Sequence, residues 1–229
     1  MPVAVKTIFF DVGNTLLFPN RQHILSVLNG HQPSLEQWHA IERETKRKFD
    51  DVVQHGGIVD HGFWWMFYSR LLQDLDIASD GLRDQLVNAT RVSSNWCVIR
   101  PGTREDLERF GQRYRLGVIS NADGKIVDVL TQCGIADCFD SITDSGIVGY
   151  EKPHPVIFQS ALEAMKARPE ESLYVGDVYS VDYVGATKAG MNAVLFDVSG
   201  AYRESGLPRV ESLEELEKHL NYTATGRMP

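Results

Sequence analysis

The sequence is poor in the features that would place a chain in a membrane, in a disulfide framework or on a nucleic acid. Cysteine is scarce: there are three, Cys97, Cys133 and Cys138. Their spacing matches no metal-ligand motif, and an odd number leaves one without a disulfide partner, so a reducing compartment is expected. Cys133 and Cys138 sit in apolar contexts and read as core residues. No apolar run approaches the ~18 residues of a membrane span. The opening residues Met1 to Lys6 lack the basic and apolar regions of a signal peptide, so a cytoplasmic location is expected and the Asn88 and Asn221 sequons carry no weight. A basic patch is also missing. With 31 acidic and 23 basic residues the net charge is -8, which repels a phosphate backbone. The densest basic cluster, Arg43, Lys46, Arg47 and Lys48, is interleaved with Glu42 and Glu44 and reads as a solvated helix face. Internal repeats and low-complexity tracts are absent as well.

What the chain does have is an alternation of strand-length apolar runs and helical patterns. The runs are Val5 to Phe10, Leu116 to Ser120, Ser172 to Val175 and Ala193 to Asp197, with a weaker one at Ser141-Ile142. Most are too apolar for a sheet with one wet face. Between them, Pro101 to Tyr114 opens with Thr103 and Asp106 in a capping-box-like pattern. Ile126 to Cys133 is followed by Gly134, a C-cap, and Pro155 to Lys166 starts on a proline. Leu213, Leu216 and Leu220 stripe a last helix capped by Ser212. This alternation predicts an α/β fold with a doubly wound parallel sheet. Residues 19–97 break the rhythm and read as helices only, an all-helical insertion in a core formed by 1–18 and 98–229. The polar tail from Asn221 is expected to fray.

In an open parallel sheet, ligands bind beyond the carboxyl ends of the strands. There the first strand delivers Asp11, followed by Gly13, Asn14 and Thr15; the second delivers Ser120 and Asn121. The loop after the third carries Lys152, and the fourth leads into Asp177 and Asp182. Each has a bland reading as a turn former, a cap or a surface lysine. Together they put three carboxylates, a lysine and a hydroxyl in one small region. Acids packed so closely repel unless a cation lies between them, and hard oxygen ligands suit Mg2+.

The ordered set Asp11-Val-Gly13-Asn-Thr15, Ser120-Asn121, Lys152-Pro153 and Gly176-Asp177 with Asp182 resembles the motifs of the haloacid dehalogenase-like hydrolases. The resemblance covers nearly the whole chain and implies a Rossmann-like core with a helical cap inserted after the first strand. It implies Asp11 as a nucleophile that forms an aspartyl-phosphate. It also implies Mg2+ held by Asp11, the Gly13 backbone carbonyl and Asp177, with Asp182 as a further ligand or an outer carboxylate. Thr15, Ser120, Asn121 and Lys152 would bind the phosphoryl group of a small phosphorylated substrate.

The departure is Gly13. Phosphatases of the family usually carry there a second aspartate that protonates the leaving group. General acid–base help is worth ~10² to 10⁴ in rate, so its loss favours leaving groups that need no proton, such as those of acyl phosphates. His55, Asp60, His61 and Tyr68 are the candidate surrogates in the helical segment. A second reading is a metal-independent 2-haloacid dehalogenase, with Arg21 or Arg43 cradling the halide; the retained Asp177 speaks against it. A third is a weakened member that binds a phospho-ligand or a partner. The aromatic stretch of residues 61–72, with Phe63, Phe67 and Leu71 on one helix face and Trp64 and Tyr68 on another, is expected to form the insertion's own core, to line the substrate entrance or to present a dimer patch. Gly30, Gly56 and Gly57 are candidate flexible points.

Overall fold

The computed structural model describes residues 4–57, 62–77 and 79–225. Six parallel strands form the main sheet: β1 (Thr7–Phe10), β4 (Arg115–Ser120), β5 (Ser141–Asp144), β6 (Ser172–Gly176), β7 (Asn192–Phe196) and β8 (Arg209–Val210), in the spatial order β5-β4-β1-β6-β7-β8. A separate antiparallel ribbon pairs β2 (Leu17–Phe18) with β3 (Val98–Ile99).

Alternation along each strand sends side chains to two faces. Ile8 and Phe10 join one apolar cluster with Leu107, Leu130 and Leu216, while Phe9 joins another with Phe158, Met165 and Tyr174. Helices therefore cover both faces: α5 (Thr103–Gly111), α6 (Ile126–Gln132) and α10 (Leu213–Thr225) on one, α8 (Pro155–Met165) and α9 (Val184–Lys188) on the other, with the single turn α7 (Ser145–Val148) at the rim. With both faces covered, the strands can be apolar throughout, as in the buried pattern of β6. The chain leaves β1 toward β4 and β5, then crosses to β6, β7 and β8. Strand order thus reverses around β1, and a crevice opens beyond its carboxyl end.

The segment between β2 and β3 is helical: α1 (Arg21–Ile24), α2 (Leu35–Gln54), α3 (Gly62–Asp74) and α4 (Asp80–Arg91). It has its own core, built from residues such as Trp38, Ile41, Phe63, Phe67 and Leu71. Ser34 starts α2 with a reciprocal capping box to Gln37. The buried residues of α2, namely Trp38, Ile41, Glu42, Thr45, Lys46, Phe49 and Asp50, recur at three- and four-residue steps and form one stripe. At the base of the segment, the Arg100 guanidinium lies 4.4 Å from the centre of the Phe18 ring.

Several sequence expectations need correction. The expected solvated face of α2 is not one at Lys46, which is only 1% exposed. Its helical phase puts it on the apolar stripe. Helix α5 has no capping box, because Gly102, at φ +84°, occupies the cap and Thr103 is already inside the helix. The ribbon and β8 escape the sequence reading because two-residue strands leave no periodicity to detect. The tail expected to fray from Asn221 remains helical to Thr225. No helix among the described residues is long and apolar enough to cross a membrane.

Candidate active site

Beyond β1, β4 and β6 lies a cavity of about 420 Å3 that includes Asp11, Gly13, Ser120, Asn121, Lys152 and Asp177 in its walls. Its floor is an ion cluster. Lys152 Nζ donates to Asp11 Oδ1 at 2.6 Å, to Asp182 Oδ1 at 2.8 Å and to the Tyr174 hydroxyl at 2.7 Å. All of its donors are used, and the side chain is 2% exposed. Burial works against its charge, but Asp11 and Asp182 outweigh burial and hold the ammonium above its ordinary range. Burial also acts on Asp11, where it exceeds the pull of Lys152 and pushes the carboxyl up to about 6.

Local structure fixes each member. Asp11 follows the last residue of β1, and its N–H is bonded to Val175 O at 2.8 Å. Asp182 lies in a π-helical turn, Tyr179–Tyr183, and accepts Val178 N–H on Oδ2 at 2.9 Å. Its side chain lies directly over Gly176: a Cβ there would stand 2.5 Å from Asp182 Cγ, so that position has to be glycine. Asn121 brackets the Lys152 backbone, accepting its N–H at 2.7 Å and donating to its carbonyl at 3.0 Å. Its side chain therefore holds the lysine's loop in place at the cavity wall. Asp144 caps the neighbouring turn through Gly124, Ile126 and Gly146 N–H groups.

Asp11, Asp177 and Asp182 each offer a carboxylate oxygen, all within 4.8 Å of one another, an arrangement that suits a metal ion. Asp177 Oδ2 is buried and has no hydrogen-bond donor with proper direction. Its counter-charge is Lys46 of α2, whose Nζ is 2.9 Å away and also 2.9 Å from Glu42 Oε1. Burial exceeds the attraction of Lys46, and with Asp11 and Asp182 nearby the Asp177 carboxyl is pushed up to about 7. Three hard carboxylate donors clustered and buried in this way fit a divalent cation.

The structure thus gathers Asp11, Gly13, Ser120, Asn121, Lys152, Asp177 and Asp182 at one end of the sheet. Thr15 is the exception. It is buried, lies outside the cavity wall, and its hydroxyl has no hydrogen-bond partner among the described residues. The Gly13 position opens onto aromatic surface: a Cβ there would meet Trp96 Cζ3 at 3.2 Å. Trp96 donates its indole N–H to Thr90 O at 2.8 Å and packs edge-on against Trp64, with ring centres 5.6 Å apart.

Among the candidate surrogate acids, Tyr68 is buried against Thr90 Oγ1 at 2.6 Å, and burial raises its hydroxyl far above its ordinary range. His55 is exposed and bonded to the Asp51 carbonyl. Asp60 and His61 lie outside the described residues. Of the two candidate halide cradles, Arg43 donates to Ser199 O at 2.9 Å and Arg21 lies over the Trp38 ring; neither lines the cavity. The aromatic run serves two purposes, with Phe67 fully buried in the helical core and Phe63 and Trp64 in the cavity wall.

Lys46, Glu42, Tyr174 and Trp96 are the site residues that sequence reasoning missed. The first two had a usable signal, an i,i+4 ion pair in register with Trp38, Ile41 and Phe49. Trp96 had none, since its contact with Gly13 is purely tertiary.

A crevice at the switch point of a parallel sheet, with a strand-end aspartate bonded to a buried lysine, defines a class. The chain belongs to the haloacid dehalogenase-like hydrolases, and that family's profile matches residues 5–190. It is 47% identical over 106 residues to a glyceraldehyde 3-phosphate phosphatase of Methanothermobacter thermautotrophicus, covering 44% of this chain and 46% of that enzyme. It is 32% identical to human haloacid dehalogenase-like hydrolase domain-containing protein 3 over 209 residues, 84% of this chain and 82% of that one. The chain spans about half the length of several of the curated relatives it matches. In fold it is similar to the HAD-hydrolase YfnB of Bacillus subtilis, solved bound to magnesium, with a TM-score of 0.69, 19% identity and coverage of 95% of this chain and 99% of that one.

Proposed function

We propose that this chain is a phosphatase acting on a small phosphorylated metabolite through an aspartyl-phosphate on Asp11, with residues 19–97 as the cap over the site. The observation that carries the reading is the Lys152 ammonium bonded at once to Asp11 and Asp182, with the Asp177 carboxylate in the same buried acid cluster. The phosphatases among its relatives support it.

Asp11 attacks phosphorus with one carboxylate oxygen, and the bond to the leaving oxygen breaks. Lys152 partly offsets the burial of the nucleophile, aims it, and offers positive charge to the phosphoryl oxygens. Ser120, buried at the end of β4, lies in the same cavity wall and would donate its hydroxyl to a phosphoryl oxygen. Mg2+ held by Asp11, the Gly13 carbonyl and Asp177, with Asp182 behind, would neutralise the acids and shield the incoming phosphoryl charge. Water then attacks phosphorus, the anhydride bond breaks, and inorganic phosphate leaves with Asp11 restored. Because Gly13 has no proton to give and Trp96 covers its position, the leaving group departs unprotonated or takes its proton from solvent. Weakly basic leaving groups, such as the carboxylate of an acyl phosphate, gain most from such a site.

The dehalogenase reading loses support, because Arg21 and Arg43 are engaged away from the cavity. The test is a panel of acyl and alkyl phosphates with and without Mg2+, run beside a 2-haloacid assay. Phosphate release that requires Mg2+ and vanishes in Asp11→Asn is expected. Halide release indifferent to chelator would overturn the reading.

A further inference from the structure

The α2 face turned toward the sheet carries an ionised pair that no step above uses. Lys46 is one of the largest fully buried side chains, and its ammonium bridges Glu42 on its own helix and Asp177 at the end of β6. The contact lies in a row of links between the same two regions. One turn earlier Arg43 donates to Ser199 O; one turn later Asp50 accepts Ser180 N–H and the Tyr202 hydroxyl, each at 2.9 Å. Lys46 thus sits mid-row, on the carboxylate that a metal needs.

A divalent cation on Asp177 Oδ2, the oxygen that holds the ammonium at 2.9 Å, sets two cations against each other at short range. Glu42 offers a way out. Its carboxylate already contacts Lys46, so the ammonium can leave Asp177 and stay paired. The charges agree with this: four carboxylates (Asp11, Glu42, Asp177, Asp182) less two ammoniums (Lys46, Lys152) leave two negative charges, which one divalent cation balances.

We propose that Lys46 is a positioning residue that serves as counter-charge to Asp177 until a divalent cation displaces it onto Glu42, so that metal entry loosens the α2 face from the sheet. The proposal rests on the reading of Asp177 as a metal ligand given above.

Calorimetric titration of the full chain with MgCl2 tests it. The charge-balanced double variant Glu42→Gln with Lys46→Met is expected to bind Mg2+ about tenfold tighter or more, because the competing cation is gone. Lys46→Arg, which keeps the charge, is expected to stay near the parent affinity. A merely structural lysine predicts the reverse, equal or weaker binding in a folded double variant, and that result overturns the proposal. Amide hydrogen exchange on the unmodified protein covers the case of a variant that does not fold. Saturating Mg2+ should increase exchange in residues 42–50, and unchanged or slower exchange there overturns the inference. If the parent and both variants fail to bind Mg2+, the metal reading itself falls and takes this inference with it; binding without a difference sinks the inference alone.

Discussion

Lys152 and Lys46 are 2% and 1% exposed, and each bridges two carboxylates, yet they come from different regions and are held in different ways. The sheet region supplies Lys152 from a loop bracketed by Asn121, and its three donors go to three separate side chains. The helical region supplies Lys46 from the middle of a 20-residue helix, and one of its partners, Glu42, is on the same helix. Lys152 is locked by partners from β6, from the end of β1 and from the turn after β6. Lys46 carries half of its compensation with it, so its own charge would stay paired on leaving Asp177. Burial alone does not tell the two lysines apart; the location of their counter-ions does.

The strongest challenge to that contrast is Lys152→Met. It leaves Asp11 and Asp182 facing each other, and breaking a buried ion cluster on one side costs about 3 to 5 kcal/mol. Turnover should fall by about 10² to 10³, the usual penalty for losing one charge-stabilising donor. Denaturant unfolding and initial rates measured together would check both. A loss of activity without loss of stability would mean that Lys152 is less tightly enmeshed than its contacts indicate.

The second challenge is pH. In chelator, Asp177 is raised to about 7 by burial against an ordinary 3.8, so the folded state holds its proton longer than the unfolded chain does. Its contribution to stability is therefore best below pH 3.8, falls as pH rises from about 4 to about 7, and is level above that. Asp177→Asn removes this fall. The difference between parent and variant, followed by urea unfolding from pH 4 to pH 8, should change by about 1 to 3 kcal/mol in the variant's favour. A difference that stays flat would show Asp177 ionised throughout, with Lys46 outweighing burial.

These residues were unequally legible. Asp11, Ser120, Lys152 and Asp177 could be placed because a strand-end residue in a parallel sheet has one destination, and the strands were apolar enough to find. Asn121 was found for its place, but its hold on the Lys152 backbone was not legible, since only the tertiary structure shows its amide closed on that loop. Thr15 was misplaced because sequence adjacency to Asp11 does not fix which way a side chain turns after the strand. Lys46 was hidden by a habit of reading mixed charge as surface, although the spacing of Trp38, Ile41, Thr45 and Phe49 already set the inner face of α2. Trp96 was out of reach: 83 residues separate it from Gly13, and no local pattern records their contact.

That contact tempers a third expectation. Gly13→Asp supplies the missing acid, but the new Cβ meets Trp96 at 3.2 Å, so the indole must yield a few tenths of an ångström. Gly13→Asp combined with Trp96→Leu should therefore raise turnover of alkyl phosphates about tenfold, short of the ~10² of a well-placed acid. The single variant should gain less. Equal gains in both would show that Trp96 gives way freely.

The smallest expected effect falls two residues from one of the largest differences in burial. Lys48 follows Lys46 on α2, but it lies outside the buried stripe: its side chain is 60% exposed and pairs with Glu44 at 2.7 Å across one turn. An exposed i,i+4 pair is screened and loses side-chain entropy, so Lys48→Ala should shift stability by less than about 0.5 kcal/mol. Mg2+ affinity should not change, since Glu44 is bound by Arg70 as well and neither residue touches the acid cluster. Parallel melts and titrations of Lys48→Ala and the Glu42, Lys46 double variant would read the helical phase directly. If Lys48→Ala moved Mg2+ affinity as much as the double variant did, general charge on α2, and not the placement of Lys46 on Asp177, would be what the metal feels.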